Sequence, residues 1–127
     1  MEFLYKDITE TILKSFFEVY KTLGYGFLEK VYHNALIHEL QKNGLYVEKE
    51  CKIDVMYKGI IVGEYYADLI VEKKIILEIK TAEIIVKQFE YQLMNYLRAT
   101  KYELGMILNF GKKPEFSRKI YSNNSEQ

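Results

Sequence analysis

The chain predicts an α/β fold, a central β-sheet with helices packed against it in the order α-α-β-β-β-α-β. Three observations carry this reading. Apolar residues recur at helical spacing as far as Lys42, and β-branched and aromatic residues fill short runs from Val47 to Thr81. A further helical pattern then separates those runs from a continuous apolar stretch, Leu104 to Phe110.

Each element follows from a local pattern. Ile8, Ile12, Phe16, Val19 and Tyr20 mark one face of a first helix, which closes near Gly24 and Gly26. The second helix runs from Leu28 to about Lys42 with Val31, Tyr32, Ala35, Leu36 and Leu40 buried, and Asn43-Gly44 ends it. Val47 to Tyr57 and Ile60 to Val71 are strands joined by a Lys58-Gly59 turn, and Ile75 to Thr81 is the third. A helix from about Ile85 to Ala99 points Phe89, Leu93, Tyr96 and Leu97 inward, and Leu104 to Phe110 is a buried strand. The segment from Phe116 to Tyr121 either adds an edge strand or packs down on the sheet.

The second and third strands form a hairpin about the polar break Glu72-Lys73-Lys74. If it folds symmetrically about Lys73, Tyr65, Ala67, Leu69 and Val71 share an apolar face with Ile75, Leu77 and Ile79. The other face carries Asp68 directly opposite Glu78, with Lys80 two residues further on. Facing carboxylates about 5 Å apart repel by roughly 3 kcal/mol at an effective dielectric of 20, a large fraction of a small domain's stability. A divalent cation offsets that repulsion, and Asp and Glu oxygens with water suit a hard ion such as Mg²⁺. Lys80 places an ammonium beside the same spot, where it can stabilise an anionic transition state or orient an attacking water.

With Asp68 followed ten residues later by Glu78-Ile79-Lys80, the sequence resembles the PD-(D/E)xK nuclease superfamily, whose mixed sheet bears a carboxylate on one strand and an ExK triplet on the next. Ala67 stands where the founding motif has proline. Gln92-Leu93-Met94-Asn95-Tyr96 matches the QxxxY signature of the RecB-like branch, and Gly26 to Tyr32 matches that of the GxxExxY family. The resemblance spans roughly Ile8 to Tyr121 and implies a single nuclease-like domain over residues 1–127. It implies that Asp68, Glu78 and the backbone carbonyl of Ile79 hold a Mg²⁺ or Mn²⁺ ion, with Glu29 as an outer or third ligand and Lys80 assisting the attacking water. Tyr32 enters with the GxxExxY motif as a supporting residue. Gln92 and Tyr96, four apart on one helix face, suit hydrogen bonding to the site or to a substrate phosphate.

Composition bounds the alternatives. At 127 residues with 49% apolar content, the chain is one ordinary globular domain. The lone Cys51 cannot form an internal disulfide, and neither a signal peptide nor a membrane-spanning run is present, so the expected location is the cytoplasm with no membrane partner. Two histidines, His33 and His38, give little basis for a histidine-centred zinc site, and no serine elbow, phosphate-binding glycine loop or dinucleotide fingerprint occurs. Net charge is zero, but residues 1 to 86 carry 11 Lys+Arg against 14 Asp+Glu, whereas residues 87 to 119 carry 7 against 3. Lys87, Arg98, Lys101, Lys112, Lys113, Arg118 and Lys119 are therefore expected to form a basic rim beside the acidic site.

The expected function is a divalent-metal-dependent phosphodiester hydrolase acting on nucleic acid, with DNA the expected polymer. The alternative is a nuclease-fold module that binds nucleic acid or a partner protein without cleaving. A homodimer is expected as the simplest way to bring two sites to a duplex.

Overall fold

A computed structural model describes residues 4–122. Glu126, which closes the charge balance, lies outside the described residues. The elements are α1 (Lys6–Leu23), α2 (Glu29–Lys42), β1 (Val47–Tyr57), β2 (Ile60–Val71), β3 (Ile75–Lys80), α3 (Lys87–Ala99), β4 (Leu104–Phe110) and β5 (Pro114–Ile120). The five strands form one sheet in sequence order, β1-β2-β3-β4-β5. All neighbours are antiparallel except β3 and β4, which run parallel from Ile75/Leu104 to Lys80/Asn109. A parallel pair needs a crossover, and α3 supplies it. The last segment is thus the edge strand β5, pairing with β4 from Leu104/Ile120 to Phe110/Pro114.

The sheet is covered on both faces. Ile12, Phe16 and Val19 of α1 and Tyr32, Leu36 and Leu40 of α2 pack on Leu69, Val71, Ile75, Leu77, Ile79 and the even-numbered residues of β4. Leu93, Tyr96 and Leu97 of α3 pack on Ile53, Ala67, Ile70, Ile76 and Ile107. β4, wholly buried, has helices on both sides, as its continuous apolar run requires, and β3 is buried on both faces up to Lys80. Phe110 ties its end to the first layer, with its ring centroid 4.8 Å from Phe16 and 4.4 Å from Tyr32. Tyr20 adds hydrogen bonds to the carbonyls of Gly111 and Lys112, at 2.8 and 2.6 Å.

Two expectations change. The alternation along β2 reverses at Asp68: Leu69 and Val71 lie under α1 and α2, but Ala67 packs beneath α3 and the Tyr65 ring lies 5.7 Å from that of Tyr96. On the neighbouring strand, Glu50, flanked by the pairs Lys49/Leu69 and Cys51/Ala67, adopts a left-handed backbone with φ 53° opposite this point. One residue out of the extended region switches the face of everything beyond it. The helix expected from about Ile85 begins at Lys87, and the stretch between it and β3 is held at Ala82 by a side chain. Buried Asn109 accepts a hydrogen bond from the Ala82 amide at 2.8 Å and donates to the Ala82 carbonyl at 2.9 Å. Gly111 completes this clamp, since a Cβ there would lie 2.4 Å from the Ala82 carbonyl oxygen.

Candidate active site

The β2–β3 hairpin brings Asp68 and Glu78 together. Glu72 and Lys73 at its turn both adopt left-handed backbone, and the Lys74 amide donates to the Val71 carbonyl at 2.9 Å. Val71/Ile75, Ile70/Ile76 and Leu69/Leu77 then pair about Lys73. Beyond Leu69/Leu77 the ladder gives way to side chains: the Asp68 amide donates to Glu78 Oε2 at 3.1 Å, and the Ile79 amide donates to Asp68 Oδ2 at 2.7 Å. Each carboxylate accepts from the other strand, which fixes both where two backbone hydrogen bonds would otherwise form.

Glu78 is only 5% exposed, and its pKa is pushed up to about 8. Burial is the main cause and the Asp68 charge the next, with the Asp68 amide and Lys80 opposing them. Glu29, the first residue of α2, is raised too, by burial first and then by Asp68, against the pull of Lys80 and His33. These mutual influences place Glu29, Asp68, Glu78 and Lys80 in one electrostatic neighbourhood. The Lys80 ammonium lies 4.7 Å from the Phe89 ring centroid, so the first turn of α3 steadies it. His33 Nε2 lies 3.4 Å from the Asp68 carbonyl oxygen.

Among the described residues, no three His, Cys, Asp or Glu side chains are grouped so as to hold a metal ion. Glu29 feels the Asp68 charge from the start of α2. The pair still fits a small hard cation, because Mg²⁺ commonly uses one or two carboxylates and keeps its remaining waters. Ile79, the proposed carbonyl ligand, sits between Glu78 and Lys80 and is fixed through its own amide.

Tyr32 is buried and serves the loop before α2. Its hydroxyl donates to the Gly24 carbonyl at 2.6 Å and accepts from the Phe27 amide at 3.2 Å, which bends the chain around Gly26, where φ is 114°. This explains the GxxExxY spacing: glycine makes the bend, tyrosine pins it, and Glu29 starts the helix between them. Gln92 and Tyr96 line a cleft of about 840 Å³ between α3 and the β1–β2 arm. The pKa of the Tyr96 phenol is pushed up to about 12, by burial and then by Glu78 and Asp68, so it stays protonated at neutral pH.

The expected basic rim is divided. Lys119 pairs with Glu90 at 3.6 Å, and Arg118 donates to the Leu4 carbonyl at 2.9 Å. Lys87 and Arg98 stand at opposite ends of α3. Sequence reasoning missed Asn109, Gln88, Tyr91 and the cleft position of Tyr65. The spacing of Gln88, Tyr91, Gln92 and Asn95 at three and four was a readable signal of one polar helix face. The reversal that brings Tyr65 to that face had none.

No curated protein matches the chain. Among solved structures, the chain is similar to that described as the crystal structure of SSO0001, with a TM-score of 0.57 and 21% identity over 76% of this chain. The match covers 52% of that protein, so this chain spans about half its length, and at this identity the likeness concerns the fold. The profile of the PD-(D/E)XK nuclease superfamily matches residues 6–119, which include both carboxylates, Lys80 and the sheet that carries them. The chain belongs to the PD-(D/E)XK nuclease superfamily.

Proposed function

We propose that this protein hydrolyses phosphodiester bonds in nucleic acid, DNA being the expected polymer, with Mg²⁺ or Mn²⁺ as cofactor. The observation that carries this reading is the pair Asp68 and Glu78, each fixed by the other strand's amide, with Lys80 two residues beyond. A divalent ion held there supplies Lewis-acid stabilisation of a phosphoryl oxygen and lowers the pKa of bound water. Asp68 and Glu78 would hold it with the Ile79 carbonyl. Lys80, steadied on Phe89, would stabilise charge developing on the phosphate, and Glu29 would shape the field from the start of α2. Tyr96 would donate a hydrogen bond beside the site, with Gln92 one turn away, and Tyr32 would support the loop before Glu29. Within the superfamily we assign the chain to the GxxExxY family, on Gly26, Glu29 and Tyr32, with the RecB-like QxxxY helix.

The test is a panel of single-stranded, duplex and branched DNA and of RNA, each with Mg²⁺, Mn²⁺ or EDTA. Cleavage is expected with metal only and is expected to vanish in Glu78→Ala. Lys80→Ala is expected to lower turnover by roughly 10²- to 10³-fold with little change in affinity. A second reading is binding without cleavage to nucleic acid or a partner protein. No cleavage by the parent on any substrate, together with lost affinity in Lys80→Ala, would favour it.

No helix among the described residues is long and apolar enough to cross a membrane. A cytoplasmic location is proposed on the single free cysteine, which fits a reducing compartment. A homodimer is proposed through the exposed apolar tip of the β1–β2 arm, Tyr57, Ile60 and Ile61. Light scattering at micromolar concentration is expected to give twice the 15.1 kDa chain mass, and a single-chain mass would remove the dimer alone.

A further inference from the structure

The cleft beside the carboxylates carries groups that hydrolysis at Asp68 and Glu78 does not use. One wall is a face of α3, with Gln88, Tyr91 and Asn95, and the other is the β1–β2 arm, with Met56 and Tyr65. It runs up to the site, because Tyr65 is 5.7 Å from Tyr96, whose phenol feels both carboxylate charges. Tyr91 is 63% and Tyr65 46% exposed, so both rings offer free surface. Among the described residues, Arg98 is the one charged side chain lining it, its Nη1 donating to Asn95 Oδ1 at 3.2 Å.

Aromatic faces offer stacking, and a carboxamide offers a donor and an acceptor side by side. Together they match a nucleobase, which has two flat faces and a hydrogen-bonding edge. They do not match a polyanionic backbone, for which several cations are needed. A base inside a duplex has already spent its faces on neighbours and its edge on its partner, so these walls read only an unpaired base. The volume lies within the range of roughly 300–1,000 Å³ usual for small-ligand sites.

We propose that this cleft binds unpaired nucleotides, with bases stacked on Tyr91 and Tyr65 and hydrogen-bonded by Gln88, and so makes single strands the substrate class. Binding stands on the cleft alone, while delivery of the strand to Asp68 and Glu78 rests on the hydrolase reading.

The chain has no tryptophan, so Tyr91→Trp keeps a stacking ring and introduces a single indole emitter at the cleft. Twelve-nucleotide single strands of DNA and RNA and a matching duplex are titrated in Ca²⁺ on a Glu78→Gln background, so that the strand remains uncut. Single strands are expected to quench the indole and to bind at least tenfold tighter than duplex. Tyr91→Ala, an exposed helix substitution that preserves folding, is expected to weaken single-strand binding by roughly 5- to 150-fold and to leave duplex binding unchanged. Equal affinity for duplex and single strand, no quenching on binding, or no loss in Tyr91→Ala would each overturn the inference. Emission that follows protein concentration rather than oligonucleotide would overturn it as well, by showing a second copy in the cleft. Single-strand quenching without cleavage by the parent on any substrate would remove the hydrolase and leave the cleft assignment standing, whereas cleavage without quenching would do the reverse.

Discussion

With its pKa pushed up to about 8, Glu78 holds a proton at neutral pH in the metal-free protein. In the unfolded chain the same carboxyl titrates near 4.5, so folding favours its protonated form. Its contribution to stability is therefore complete below about 4.5 and is lost as pH rises through about 8. Unfolding in EDTA is expected to need less denaturant at pH 8.5 than at pH 5.5. Glu78→Gln is expected to flatten that slope and to stabilise the metal-free protein at pH 8 by roughly 1 to 3 kcal/mol. Glu78 must also release its proton before its carboxylate can hold a cation, so Mn²⁺ affinity measured by calorimetry is expected to tighten up to about tenfold per pH unit below 8 and to level off above. The opposition of Asp68 and Glu78 was legible because strand periodicity and the position of the turn fix it. The exchange of amide hydrogen bonds between the two was not, since residue patterns say which way a side chain points but not when it replaces the backbone ladder.

Three elements converge on the stretch between β3 and α3. The Asn109 side chain at the end of β4 holds Ala82, Gly111 leaves room for the Ala82 carbonyl, and Lys80 exits β3 just before them. Asn109→Ala removes two buried hydrogen bonds and strands both Ala82 groups, so a loss of roughly 2 to 4 kcal/mol is expected in the denaturation midpoint. Gly111→Ala is expected to destabilise as well, because the atom it meets is backbone and cannot swing aside. The helices and the first four strands were legible to within about two residues because their cores are periodic. β5 was less so, because at the sheet edge its residues are half-buried with no alternation, only Phe116 being exposed. The hold on the Ala82 stretch and the left-handed residue beside the β2 reversal each involve one residue, Asn109 and Glu50. A buried asparagine and a left-handed glutamate resemble any other Asn or Glu in a sequence.

For the molecule as a whole, cation binding to the native state alone raises stability by RT ln(1 + [L]/Kd), about 2.7 kcal/mol at a hundredfold excess over Kd. Mn²⁺ is expected to raise the melting temperature of the parent and not that of Asp68→Asn/Glu78→Gln, and an equal shift in both would show the ion bound elsewhere. The carboxylates and Lys80 lie within one hairpin and its flanks, but the body that supports them is closed by its first helix. Phe16 meets Phe110, and the Tyr20 hydroxyl reaches the Gly111 carbonyl across 91 positions of sequence. During synthesis at about 5–20 residues per second, α1 therefore waits roughly 5 to 18 s after leaving the ribosome for the strand it rests on. Over that interval its apolar stripe can lean on α2, where Asn43 donates to Ser15 at 2.9 Å, and on the β2–β3 hairpin, but the Phe16 ring lacks its Phe110 partner. A nascent chain stalled before Leu104 thus leaves Phe16 without Phe110 and presents more of the α1 stripe to chaperones than one released after Lys112.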